Sequence, residues 1–151
     1  MLLESVILER ILLALFLSSV IGYEREHAHK IAGLRTHALV GLSSSLLAMI
    51  ALYGFTETGG NVGEIASRII ANIVVGIGFI GAGAILRQDS KVIGTTTAAT
   101  LWTVAAVGIA VGIGFTYAAI AVTLITYLVL VIFLRLENKL KGDNSEEDSM
   151  I

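Results

Sequence analysis

The chain has 151 residues, of which 56% are hydrophobic and 15% are charged, with a mean hydropathy of +0.87 and a formal net charge of −2. This composition is typical of a polytopic membrane protein and excludes a small soluble domain. The slightly negative charge does not indicate nucleic-acid binding, and the lack of cysteine excludes disulfides, thiolate metal sites and cysteine nucleophiles.

Five segments are long enough to cross a bilayer, which takes about 20 helical residues. From Val92 to Leu134 the chain has no charged residue, and this stretch is too long for one crossing, so we expect it to divide at Gly112–Thr116. The predicted spans are approximately Ser5–Gly22, Thr36–Phe55, Ile65–Leu86, Thr95–Val111 and Tyr117–Leu134. We therefore predict an all-α transmembrane bundle over residues 1–141, followed by a short, acidic, disordered tail over residues 142–151.

The basic residues predict the orientation of these spans, because cytoplasmic loops are enriched in lysine and arginine. Most of them lie after the first span, after the third span and at the C-terminal end; they are Arg25, Lys30, Arg35, Arg87, Lys91, Arg135, Lys139 and Lys141. Of the ten basic residues, only Arg10 and Arg68 lie on the other side. The N-terminus is therefore predicted to lie outside, and the C-terminus in the cytoplasm.

Charged and polar residues mark the turn between the first two spans. Glu24 and Arg25 have two interpretations. They form a fixed ion pair or a gate, or they are ordinary interfacial charges whose pairing contributes about 0–1 kcal/mol to stability. Arg35 is either a positive-inside anchor or a planar fork that grips a carboxylate, for which Glu24 is the expected partner. His37 is either hydrogen-bonded to a neighbour, or it titrates or binds an anion together with Arg35.

Asn72 is the polar residue that lies within the third span. An unsatisfied amide in hydrocarbon is costly, so this side chain must face protein or water. It either joins helices through a hydrogen bond that contributes about 0.6–2 kcal/mol, or it lines a polar pathway. The sequence leaves both readings open.

The glycines after Asn72 spell G-x-G-x-x-G at Gly76, Gly78 and Gly81. In a dinucleotide-binding site this motif requires an acidic residue about 20 residues later. Here no carboxylate follows Asp89 until the uncharged block has ended. We therefore interpret these glycines, with Gly83, as part of either a close-packing or an unwound segment of a membrane helix.

An internal similarity links the two halves of the chain. Lys30–Ala38 resembles Lys91–Ala99 through the pattern K-[IV]-x-G-x-x-T-x-A. The match predicts two parallel copies of one helical hairpin about an axis along the membrane normal, although so short a match also fits coincidence. In the second copy Thr96, Thr100 and Thr103 share one helix face; they form a polar seam unless their hydroxyls bond back to their own helix.

The spans contain no carboxylate deep in the membrane that would neutralise a dehydrated cation. Magnesium prefers carboxylates and retained waters, so any metal ligands stay unknown from the sequence. No nucleophile–base pair is evident, so we expect that the chain is not an enzyme, and no cofactor is indicated.

Four segments together resemble the MgtC/SapB family of bacterial inner-membrane proteins. They are Gly22–Glu26, Ala32–Val40, Gly76–Arg87 and Gly94–Trp102, and they occur in this order. The resemblance implies a multi-pass plasma-membrane protein of a bacterium or archaeon with about five spans. It also selects the functional candidates, which are Glu24, Arg25, Arg35, His37 and Asn72, and the glycines as architectural positions.

The same resemblance implies a role in magnesium homeostasis and in growth at low magnesium. Some members look like regulators of other membrane machines, including the F-type ATP synthase, while the alternative is a transporter or channel for magnesium or another small solute. Expected partners are membrane lipids, further copies of the chain and other membrane proteins. Some members carry a C-terminal domain of the ACT type, which does not appear after Lys141 in this sequence.

Overall fold

The computed structural model describes residues 3–55, 61–88 and 91–147. Within these ranges the chain forms five helices that are long and apolar enough to cross a membrane, which confirms the predicted all-α bundle of five spans. The helices are α1 (Glu4–His27), α2 (Leu34–Tyr53), α3 (Val62–Gly83), α4 (Thr95–Ile113) and α5 (Thr116–Glu147).

The connection between α3 and α4 is a β-hairpin, which the sequence reading did not predict. Strand β1 (Leu86–Gln88) pairs antiparallel with β2 (Lys91–Ile93), and Arg87 lies opposite Val92. The third span therefore ends at Gly83, earlier than the predicted Leu86, because Leu86 begins the first strand.

The uncharged block of residues 92–134 divides between α4 and α5 at Gly114, within the predicted segment Gly112–Thr116. Gly114 follows α4 with φ of +94°, a left-handed conformation that a residue without a side chain adopts at little cost. The Gly114 N–H donates to the Val111 carbonyl at 3.0 Å, and the Phe115 N–H donates to the Ala110 carbonyl at 2.7 Å. This pair of bonds is the Schellman motif, which ends α4 and lets α5 begin at Thr116.

Helix α5 is longer than the predicted fifth span. It continues to Glu147, and its apolar, membrane-crossing part ends at Leu136. The helix thus includes the first part of the segment that we predicted as a tail, and residues 148–151 lie outside the described residues.

The two central helices, α2 and α4, touch along their backbones. A Cβ atom on Gly108 of α4 would overlap the carbonyl oxygen of Gly41 on α2, and one on Gly112 would lie 2.5 Å from the carbonyl oxygen of Ser45. Glycine is required at both positions because a side chain there would meet backbone, which cannot rotate away. The sequence carries a weak signal for this contact, because Gly108 and Gly112 have the G-x-x-x-G spacing.

The remaining helices surround this pair. Helix α1 packs on α2 and α4, α5 packs on α1 and α4, and α3 packs on the other side against α2 and α4. The largest buried apolar cluster joins α1, α4 and α5; its members are Ala14, Leu17, Val107, Val111 and Ala119. Helix α3 lies at the edge, where only Ala66, Ile77 and Gly81 are buried among its residues.

Arg10 of α1 ties one end of the bundle together. Its Nη1 donates to the Gly112 carbonyl oxygen at 2.7 Å and to the Tyr53 hydroxyl at 3.3 Å, and its guanidinium lies 5.7 Å from the centre of the Tyr53 ring. The last carbonyls of a helix have no partner within the helix and carry its negative pole. Arg10 therefore closes the C-terminal end of α4 against α1 and α2.

The proposed repeat has a structural counterpart at its glycines. Gly33 directly precedes α2 and Gly94 directly precedes α4, the two helices that pair at the centre. A Cβ atom on Gly33 would overlap the Glu26 carboxylate, and one on Gly94 would overlap the Ala84 carbonyl oxygen. Both glycines thus let the chain pass tightly over the end of the preceding segment. That the two hairpins are parallel copies about an axis along the membrane normal stays a prediction.

Candidate functional site

Polar side chains are buried together at the end of the bundle where α1 ends and α2 and α4 begin. We call this set the polar cluster; it consists of Glu24, Arg25, His37, Thr97 and Thr100. Three of the helices contribute to it, so its members come together only in the folded chain. It contains three of the five candidates predicted from the sequence.

Glu24 and Arg25 form a buried ion pair. Arg25 Nε donates to Glu24 Oε2, and both residues are buried, with Arg25 2% exposed and Glu24 7% exposed. Burial makes removal of one partner costly, by about 3–5 kcal/mol, because the other charge is left uncompensated. The geometry corresponds to the fixed ion pair, one of the two readings that the sequence left open.

Arg35 lies outside the cluster, and its expected pairing with Glu24 is wrong. The residue is exposed, and among the described residues Glu24 is ion-paired with Arg25 instead. The carboxylate that reaches the start of α2 is that of Glu26, whose Oε2 accepts the Leu34 N–H at 3.0 Å. A carboxylate is favoured there because a helix N-terminus has free N–H groups and a positive pole.

His37 is fully buried and joins α2 to α4. Its Nδ1 lies 2.8 Å from the Gly33 carbonyl oxygen, and its Nε2 lies 2.9 Å from the Thr100 hydroxyl. Close packing fixes the ring, because a Cβ atom on Gly22 of α1 would come within 2.8 Å of the His37 Cβ. His37 is therefore hydrogen-bonded to neighbours, as the simpler reading of the sequence proposed, and Arg35 is not among them.

The hydrogens in this network can be counted. The Gly33 carbonyl only accepts, so Nδ1 of His37 carries a hydrogen. The Thr100 hydroxyl has one hydrogen and two acceptors in reach, namely Nε2 of a neutral His37 and the Thr97 carbonyl oxygen at 2.9 Å. When the ring is protonated, Nε2 donates to Thr100 and the hydroxyl donates to Thr97. The same heavy-atom positions therefore supply hydrogen-bond partners for either protonation state of the ring.

Of the two alternatives for the α4 threonines, the structure shows hydroxyls that bond back to their own helix, Thr100 to the Thr97 carbonyl and Thr103 to the Ala99 carbonyl. Thr97 and Thr100 are buried, whereas Thr96 is exposed. The contact between Thr100 and His37 was missed, since residues 63 positions apart in the chain give no local signal. The role of Glu26 was missed as well, although it lies in a motif that the sequence reading had singled out.

Asn72 lies apart from the polar cluster, on α3. It is exposed on the bundle surface and lines a groove between α2 and α3 with a volume of about 600 Å³. The groove is apolar apart from this amide and the serines of α2, Ser43 and Ser44. Asn72 stands at the middle of α3, so in a membrane its amide lies near the centre of the hydrocarbon.

The glycines of α3 do not pack against this chain as predicted. A Cβ atom on Gly76, Gly78 or Gly83 would meet nothing within 4 Å, and one on Gly81 would make an ordinary contact of 3.5 Å with the Ala98 Cβ. Close approach within one chain is instead made by the glycines of α1, α2 and α4. Gly81 is buried against α4, whereas a packing role for Gly76, Gly78 or Gly83 requires a second molecule.

The described residues contain no group of three histidine, aspartate or glutamate side chains that could hold a metal ion together. The polar cluster consists of the Glu24–Arg25 ion pair, the His37 imidazole and the hydroxyls of Thr97 and Thr100. It can hold two compensating charges at a fixed place, and the Thr100 hydroxyl can donate its hydrogen either to His37 or to the Thr97 carbonyl.

Comparison with known proteins identifies the family. A model of the MgtC family matches residues 11–139. The chain is 42% identical to Escherichia coli K12 YhiD, named "Putative magnesium transporter YhiD", over 89% of this chain and 64% of that protein. It is 40% identical to Protein MgtC of Salmonella typhimurium 14028s, over 76% of this chain and 47% of that protein. An uncharacterized Haemophilus influenzae protein is 37% identical, over 78% of this chain and 51% of its own length.

The chain spans less than two thirds of the length of these relatives. No solved structure matches it. The family match covers all five helices apart from the first turns of α1 and the end of α5. The five apolar helices and the relatives identify a bacterial multi-pass membrane protein. This chain belongs to the MgtC family.

Proposed function

We propose that this protein is a regulatory component of magnesium homeostasis that acts through helix contacts inside the membrane and catalyses no reaction. The printed name of one relative, YhiD of Escherichia coli K12, connects that protein with magnesium. The observation that carries the regulatory reading is the closed centre of the bundle, together with helix faces on α3 and α5 that remain uncovered in one chain.

The closed centre is documented by its glycines. At Gly41 an added Cβ would overlap the Ser18 hydroxyl, at Gly108 the Gly41 carbonyl oxygen, and at Gly112 it would lie 2.5 Å from the Ser45 carbonyl oxygen. A space that excludes one methyl group excludes a magnesium ion that keeps part of its water shell. Arg10 stands near one end of this seam, where its positive charge opposes the entry of a cation.

The test is magnesium flux. Purified protein in liposomes that enclose a magnesium-sensitive dye is expected to give the same signal as protein-free liposomes. A Gly78→Ala variant, which changes a position without neighbours, serves as the matched protein control. Saturable uptake that a point substitution in the bundle abolishes would overturn the regulatory reading.

A transporter is the second candidate, and the α2–α3 groove favours it. The groove brings Asn72 and Ser43 together near the middle of the membrane, where polar groups often mark a pathway. This reading predicts that Asn72→Leu abolishes flux while the protein still folds. Regulation predicts instead that the wild type and the Asn72→Leu variant both transport no magnesium, and that the variant fails to support growth at low magnesium.

We further propose the orientation given by the basic residues, with the N-terminus outside and the polar cluster at the cytoplasmic end. Lipids contact the outer faces of the helices in this arrangement. The regulated partner is another membrane protein, for which the family resemblance suggests the F-type ATP synthase. Co-purification of the two proteins from membranes in mild detergent tests this partner.

A further inference from the structure

Helix α3 leaves most of its surface uncovered. In its most apolar stretch, 17% of the residues are buried, compared with 50% for α4. Its outward face is formed by residues that recur at helical spacing and are all exposed; they are Glu64, Arg68, Asn72, Val75, Phe79 and Gly83. We call this the α3 face.

The α3 face contains a polar group that the chain does not satisfy. Asn72 lies at the middle of α3, and the described residues offer its amide no hydrogen-bond partner. Lipid tails cannot supply one, so a donor and an acceptor at this depth must come from another molecule. A primary amide provides both, which makes it complementary to a second amide.

The charges near one end of the same face are also self-complementary. Arg68 Nη2 lies 2.9 Å from Glu64 Oε1, and the two side chains are 76% and 59% exposed. Two copies related by an axis along the membrane normal bring equal depths together, so the Glu64–Arg68 pair of one copy lies beside the same pair of the other. Each carboxylate keeps the guanidinium of its own chain one helical turn away, so no charge is left uncompensated at the contact.

The shape of the face is complementary to itself as well. Phe79 is 85% exposed, and it lies between Gly76 and Gly83, where an added Cβ would meet nothing within 4 Å. The Phe79 ring of one copy can therefore fill the open space beside Gly76 and Gly83 of the other copy. Small residues that receive a large one are typical of helix contacts in membranes.

We infer that two copies of this chain associate through the α3 face, with Asn72 of each copy hydrogen-bonded to Asn72 of the other. The contact lies beside the α2–α3 groove, so dimer formation would cover the amide that lines it. This inference does not rest on the proposed regulatory function, because a dimeric transporter would require the same contact.

Cysteine cross-linking tests the inference directly, because the chain contains no cysteine. Val75→Cys places a thiol on the α3 face, and Val74→Cys places one at nearly the same depth, rotated by about 100°. In native membranes treated with an oxidant, Val75→Cys is expected to give a disulfide-linked dimer and Val74→Cys only background. Equal cross-linking of both variants, or none with Val75→Cys, would overturn the inference. So would cross-linking only to a different protein.

A second measurement addresses the amide itself. Adding Asn72→Leu to Val75→Cys is expected to weaken dimerisation by about 5- to 30-fold, measured by energy transfer between labelled copies as lipid dilutes the protein. The folded yield should be unchanged, since the amide contacts no described partner within its own chain. An unchanged dimerisation constant would show that Asn72 is not at the contact. Magnesium flux is measured separately, so either proposal can fail alone.

Discussion

Gly108→Ala provides the most direct test of the packing between α2 and α4. The new methyl group would overlap the Gly41 carbonyl oxygen and lie 2.9 Å from the Ser44 Cβ and 3.0 Å from the Gly41 carbonyl carbon. Two of these atoms belong to backbone, so the helices must separate. Overpacking of this kind costs about 1–3 kcal/mol, more than the roughly 1 kcal/mol that alanine gains over glycine in a helix.

Gly78→Ala is the matched control, because it makes the same change in a spanning helix where an added Cβ has no neighbour within 4 Å. Helix propensity alone then acts, and the variant should be as stable as the wild type or slightly more stable. Reversible unfolding in mixed micelles can be followed through Trp102, the single tryptophan, which lies on α4. Wild-type stability of Gly108→Ala, or an equal loss in Gly78→Ala, would refute the packing that we describe.

Three other predictions concern the two ends of the bundle. Glu24→Leu should destabilise the protein by about 3–5 kcal/mol because Arg25 is left buried without its partner, whereas Glu24→Leu combined with Arg25→Met should cost less, as a double-mutant unfolding cycle would reveal. Arg10→Met should lower the midpoint of unfolding, since α4 then loses the cation at its C-terminal end. A midpoint equal to that of the wild type would show that the hydrogen bonds of Arg10 to Gly112 and Tyr53 do not stabilise the bundle. For the orientation, Ala28→Cys should resist an impermeant thiol reagent in intact cells while Asn61→Cys reacts, and the reverse labelling would invert the assignment.

Much of this architecture was accessible from the sequence. The apolar lengths gave five spans, and Gly112–Thr116 correctly marked the break in the uncharged block, since a bilayer of fixed thickness limits each helix. The motif segments led to the correct family and to the buried residues Glu24, Arg25 and His37. Glycine spacing identified the contacts only in part, because the G-x-x-x-G pair Gly108 and Gly112 packs on α2, whereas Gly76, Gly78 and Gly83 of the conspicuous run on α3 have no neighbour within 4 Å.

The sequence by itself determined which segments cross the membrane, because the transfer of a segment into hydrocarbon depends on its own composition and length. Only the tertiary structure decided which helices are neighbours and which face each one buries. In water, polar and apolar faces distinguish outside from inside, but lipid and protein interior are equally apolar, so a spanning helix carries little record of its rotation. The pairing of His37 with Thr100 and the exposure of Asn72 both depend on that rotation.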